Sequence, residues 1–337
     1  MAVLLALVLA TSARGAAAAG YPEPVQLERM RTVGRFLLND RFNAADSVAL
    51  VMRRHDGRDP AGCLCAAQVL WAKMEDREEE IRPVRFEYLL DTVQHEVARV
   101  LDTCDSRTAA WMHLLRGMAR FLHDEWGARF GGTGGTITIG LAGAEDFLRG
   151  LQADNTVADL YYGQGCHDFW KSTEAGLLGR AGIVEDNRDR GLMELGHAAR
   201  RGVVYRDFAR LALAEAWLEY GQPDSSLDLV RALRERYPEG RRILWLLARV
   251  DEARGDLATA AEVYTDLRAR ILRRPGNYRA LVRCDHTLCR LYERSHLPGR
   301  AVEQARLVVE YLGKIPPETK RAYRDEIAFL KRVARRR

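Results

Sequence analysis

From residue 25 onward, apolar residues recur three and four positions apart, the spacing that collects them on one face of an α-helix. The segments RLALAEAWLEYG (Arg210 to Gly221), RILWLLARVDEARG (Arg242 to Gly255) and TLCRLYERSH (Thr287 to His296) show it most clearly. Alternation with the two-residue period of a strand is confined to Thr136 to Ile139. Runs such as RRHDGRDP, QPDS, RYPEG, RRPGN and GKIPPE interrupt the helical pattern with residues that favour turns. The pattern predicts an all-α chain of short antiparallel helices.

The helical segments also repeat. Leu213 corresponds to Leu247, Ala214 to Ala248, Gly221 to Gly255, Ser226 to Ala260, Val230 to Tyr264 and Leu233 to Leu267, always 34 residues apart. Each unit has a large apolar residue followed by a small one, then Gly at the turn. A small and a bulky residue four apart follow, and Pro238 closes the first unit. A small residue lets two helices approach closely. Gly accepts the left-handed conformation that ends a helix. Asp224 and Asp256 suit the start of the following helix, where acceptors satisfy free N–H groups. In spacing and residue types these units resemble the tetratricopeptide repeat (TPR). That resemblance implies a right-handed superhelical solenoid of helix hairpins.

Weaker copies flank the pair. Leu288, Cys289, Tyr292, Ala301 and Ala305 repeat the motif after 41 residues, which is 34 plus two helical turns. Upstream, ADLYYGQGCHDFW supplies Tyr162-Gly163 and Cys166, WMHLLRGM supplies Trp111, Leu114 and Met118, and DRFNAADSVA supplies Phe42, Ala45 and Ala49. The expected organisation is a leader over 1–19, about seven hairpins over 20–316, and a capping helix with a basic tail over 317–337. The order of segments also looks like a group of exported bacterial TPR proteins of undefined activity. Two inter-helix loops are expected to be enlarged, near 127–140 and 172–187. The first contains four glycines in five residues, Gly131 to Gly135. It lacks the spacing, the Lys and the preceding strand of a phosphate-binding loop, which removes the nucleotide reading.

The first residues, MAVLLALVLATSARGAAAAG, have the apolar run and small-residue stretch of a signal peptide. Export to a periplasm or the medium is therefore expected; a cytoplasmic protein with an Ala-rich leader is the alternative. No segment has the ~20 apolar residues of a membrane-spanning helix. The net charge of +5 arises from 52 basic and 47 acidic residues interspersed along the chain, which does not call for nucleic acid. Cys63 or Cys65 could meet Cys104 across one hairpin, or all three could be small buried residues; both readings remain open. The histidines at 55, 95, 113, 123, 167, 197, 286 and 296 form no metal-binding spacing. No catalytic motif, metal site or cofactor is indicated.

The resemblance places the concave wall on the first helix of each hairpin. The residues it puts there are Gln164, His167, Asp168, Glu215, Arg242, Trp245, Arg249, Arg283, His286, Arg290 and Arg294. Five arginines and a Trp toward the C-terminal end suit a protein or peptide partner that is acidic or offers a C-terminal carboxylate. The expected function is a non-enzymatic, exported binding scaffold serving an envelope or secreted assembly. Two alternatives stand beside it: an accessory hydrolase or transferase using His123, Asp124, His167 and Asp168 near the enlarged loops, and a structural spacer.

Overall fold

The computed structural model describes residues 20–131, 141–180 and 185–336. The leader, residues 132–135 of the glycine run, the Thr136 to Ile139 segment and Ile183 lie outside the described residues. Among the described residues, fourteen helices follow one another: α1 (Pro24–Leu38), α2 (Phe42–His55), α3 (Pro60–Arg77), α4 (Pro83–Leu101), α5 (Ser106–Phe130), α6 (Leu141–Ala153), α7 (Leu160–Arg180), α8 (Arg188–Arg201), α9 (Arg206–Glu219), α10 (Pro223–Arg236), α11 (Arg241–Ala253), α12 (Leu257–Leu272), α13 (Tyr278–Arg294) and α14 (Pro298–Tyr311). Each packs on the next, so the array is an all-α solenoid of stacked hairpins. Two further helices, α15 (Pro317–Ala322) and α16 (Arg324–Ala334), cover the last hairpin; the single capping helix expected there is broken at Tyr323. Ile327, Leu330 and Val333 of α16 bury against Val282, Cys289 and Val308.

Local sequence explains the helix ends. Six of the ten prolines open a helix, at Pro24, Pro60, Pro83, Pro223, Pro298 and Pro317. That position needs no backbone N–H and suits the fixed φ of Pro. Gly221 and Gly255 adopt φ of +81° and +82° where α9 and α11 stop. Asp256 accepts from the Thr259 backbone N–H at 3.1 Å and caps α12. Asp224 instead lies inside the first turn of α10, where its carboxylate complements the helix dipole, and it pairs with Arg254 at 2.6 Å.

The small-residue positions are contact points within the hairpins. Ser226 donates to the Ala214 carbonyl at 2.7 Å, and the Cys289 thiol lies 3.4 Å from the Ala301 carbonyl. Gly163 does the same work across two helices, because a Cβ there would stand 2.2 Å from the Phe147 ring. All six cysteines are free thiols. Cys63 and Cys65 are core residues, so burial accounts for their presence.

Helix α7 differs from expectation. It continues to Arg180, so residues 172–180 are helical rather than part of an enlarged loop, and α5 likewise extends to Phe130. Helices α7 and α8 cross at two glycines. A Cβ on Gly165 would meet the Gly191 carbonyl at 2.9 Å, and one on Gly191 would meet the Phe169 amide at 2.7 Å.

The feature that shapes the molecule is a seam between its two ends. The Glu239 N–H donates to Asn39 Oδ1 at 2.8 Å, 200 residues away in sequence. Arg241 reaches Asp40 at 2.5 Å, Asn277 reaches the Asp76 carbonyl at 2.8 Å, and Arg279 bonds the Glu78 carbonyl; each of these links spans 201 residues. A constant separation means that the second turn of the superhelix lies on the first in fixed register. Gln68 of α3 also donates to the Tyr205 hydroxyl at 2.9 Å, and Phe208 of α9 rests 3.1 Å from where a Cβ on Gly34 of α1 would be. Asp40 and Glu78 hold positive φ of 55° and 54° at the seam. That conformation costs a non-glycine residue roughly 1–2 kcal/mol, which the seam contacts offset. The stack thus closes on itself, and its concave face becomes the wall of a lumen.

Candidate functional site

The lumen has a volume of about 670 Å³ and is lined almost wholly by the odd-numbered helices. Trp71 of α3, Phe121 of α5, Trp170 of α7, Phe208 of α9 and Trp245 of α11 supply apolar wall. Successive lumen residues on one helix recur at three and four, as in Met118, Phe121, Leu122 and Glu125 of α5. Six carboxylates and six cationic side chains also face the space, so its lining is balanced rather than basic.

Most of those charges neutralise one another. Arg241 is shared between Asp40 (2.5 Å) and Asp76 (2.6 Å). Arg242 forks onto Glu215, with both contacts at 3.1 Å, and reaches Glu75 at 4.0 Å. Glu215 is the chief reason that the Arg242 pKa is raised above the ordinary guanidinium value. The Arg242 side chain is 58% exposed, and the surface it exposes faces the lumen. Arg283 stacks on Trp245 at 4.7 Å and pairs with Glu78 at 3.0 Å. Burial raises the Glu125 pKa, and the neighbouring Glu75 carboxylate adds to the rise. His167 projects into the lumen with Nδ1 buried and without a hydrogen-bond partner among the described residues, and burial lowers its pKa.

The fold is a TPR-like solenoid. No family model and no curated protein matches the chain. Among solved structures, the TPR domain of P58(IPK) is similar over 93% of this chain and 100% of that one, at 12% identity and a TM-score of 0.24. A likeness that loose decides nothing about function; the solenoid is recognised from its own helix pairing and 34-residue repeat.

Of the residues expected on the concave wall, His167, Glu215, Arg242, Trp245, Arg249 and Arg283 line the lumen. Five do not. Gln164 and Asp168 are buried and bonded to one another at 3.1 Å, and Asp168 contacts Arg190 of α8 at 3.2 Å. The Gly165–Gly191 approach turns that face of α7 onto α8, so Tyr162, Cys166 and Trp170 face the lumen instead. His286 is covered by Phe329 of α16 at 5.0 Å. Arg294 pairs with Glu252 at 2.6 Å, and Arg290 is exposed away from the lumen. The expected basic character of the wall is corrected with them, since Arg242, Arg283 and Arg294 are each held by a glutamate. Sequence reasoning missed the glutamates. Glu75 and Glu125 read as ordinary solvated helix positions, and Glu174 fell in the expected 172–187 loop, which is helical as far as Arg180.

Three residues of the enzyme alternative face different ways. His167 faces the lumen and Asp168 faces α8, while the His123 ring lies tilted beside Trp126 with centroids 5.9 Å apart. Among the described residues, no three His, Cys, Asp or Glu side chains gather in a way that would hold a metal ion.

Asp168 does form one unusual arrangement. It and Glu194 share Arg190, with Glu194 at 3.1 Å from that guanidinium and only 11% exposed. Burial, followed by the Asp168 carboxylate, pushes the Glu194 pKa up to about 7. The folded state therefore holds a proton that the unfolded chain has released between the ordinary value of 4.5 and about 7. Stability falls as pH rises across that window and is flat above it. Glu194→Gln is expected to remove this slope and to be more stable than the parent at pH ~8, as measured by urea unfolding at several pH values.

Proposed function

We propose that the protein is a non-catalytic scaffold that holds an extended protein or peptide segment in its lumen, and that it works outside the cytoplasm in an envelope or secreted assembly. The observation that carries the proposal is the aromatic-walled lumen. Its volume falls in the range of sites that enclose a ligand rather than merely touch one, roughly 300–1,000 Å³. The walls come from rigid helices, so the site is preformed and little ordering is needed on binding. Trp245 presents an indole beside the Arg283 guanidinium, the residue types that dominate binding energy at interfaces. The N-terminal apolar run supports export, and among the described residues no helix is long and apolar enough to cross a membrane.

The test is selection of a random-sequence peptide library on the full chain, followed by titration of the selected peptides. Trp245→Ala should weaken them by about tenfold or more, the loss typical of an interface anchor. Arg290→Glu, outside the lumen, should leave affinity unchanged. Equal affinity for Trp245→Ala and the parent would place binding elsewhere and end this reading.

A further inference from the structure

We propose that the lumen selects a basic side chain, Lys or Arg, of the extended segment it holds, with Glu125 and Glu174 as its acceptors. This rests on the lumen being the binding site. The chain places one glutamate per helix on four consecutive lumen helices: Glu75 on α3, Glu125 on α5, Glu174 on α7 and Glu215 on α9. The protein's own Arg242 shows what this arrangement accepts. Its guanidinium lies among these carboxylates, forked onto Glu215 and extended to Glu75. Arg129 adds a looser contact to Glu75 at 3.8 Å. Those two cations contact Glu75 and Glu215, and from farther off they also favour the charged form of Glu125. Among the described residues, Glu125 and Glu174 have no ion pair or hydrogen bond.

The cavity around them matches the rest of a Lys or Arg side chain. Trp170 lies one turn before Glu174 on the same face of α7, and Phe121 lies one turn before Glu125 on α5. Apolar stems lie well along such rings, and a cation gains from an aromatic face. Glu125, partly buried among other carboxylates, is where a cation gains most, because it relieves both burial and like-charge repulsion; Glu174 is the more exposed of the two. Glu75, Glu125 and Glu174 line the same lumen, and the first and third raise the Glu125 pKa while Arg242 and Arg129 oppose them. An acidic side chain entering the same region would add to the repulsion.

Three blocked five-residue peptides that differ only at the central residue, Arg, Glu or Leu, test the inference by titration calorimetry on the full chain. The Arg peptide should bind about tenfold or more tightly than the Glu peptide. It should lose about tenfold in Glu125→Gln and in Glu174→Gln, each of which keeps side-chain shape. The Leu peptide should bind these variants as it binds the parent. A Glu peptide that binds as well as the Arg peptide would overturn the inference, as would an Arg peptide indifferent to both substitutions. In either case, a Leu peptide that still weakens in Trp245→Ala would leave the lumen itself standing as the site. Failure of all three peptides to bind would overturn both readings.

Discussion

Arg241→Ala should destabilise the protein by about 3–5 kcal/mol, the usual consequence of removing one partner from a buried ion pair. The Arg241 side chain is 6% exposed and serves two carboxylates, Asp40 and Asp76, that are 10% and 18% exposed. Its backbone N–H also donates to Asp40 at 3.2 Å. Without the guanidinium, both acids stay buried with less compensation. Burial already raises the Asp40 pKa despite Arg241, and the variant should raise it further. An acid with a raised folded pKa costs stability as pH rises above its unfolded value, so the deficit should shrink at pH ~4.5. Arg241→Lys should fall between, because an ammonium keeps the charge but lacks the planar guanidinium fork that reaches both carboxylates. Urea unfolding at both pH values checks each statement, and scattering should show an expanded particle for Arg241→Ala because this residue ties the two turns together.

Asp285→Ala should produce a second loss of about 3–5 kcal/mol, by the same reasoning in a different place. Asp285 is fully buried on α13. It accepts from Arg268 of α12, Gln304 of α14 and the Tyr311 hydroxyl, each at 2.5 Å. One carboxylate therefore joins three consecutive helices, and its removal leaves three donors without their acceptor. Asp285→Asn should cost less, because an amide oxygen still accepts, but it leaves Arg268 without its counter-charge. Asp325→Ala is the matched control. Its pair with Arg324 is 86% and 81% exposed, and its loss should be within the small range of surface pairs. Chemical denaturation of the three variants separates these outcomes.

Much of this architecture was legible in the sequence. The 34-residue offset sets the hairpin, and Ala214, Ala248 and Cys289 mark the close contacts that the structure shows. Closure was not legible. The links at 200 and 201 residues depend on small rotations accumulated over several hairpins, and no local pattern encodes that sum. Because the lumen exists only after closure, the inward role of Glu125 and Glu174 was hidden as well. The register of α7 was a different kind of miss. Gly163, Gly165 and Gly191 were visible in the sequence and mark where helices approach. Placing those glycines on the packed side turns Asp168, three residues past Gly165, onto α8 as well. The loss of His286 from the wall has a similar origin, since α16 folds back over α13 and covers it with Phe329.

Whether the two superhelical turns are joined along one seam can be read by cross-linking. Asn39→Cys and Glu239→Cys, introduced together, should react with a short bis-maleimide to give an internally linked monomer in high yield. The same pair in the Arg241→Ala background should link more slowly. A folded double variant that fails to link, while each new thiol reacts with a simple maleimide, would show that the ends are apart. The lumen would then be an open groove, and the solenoid would not close on itself.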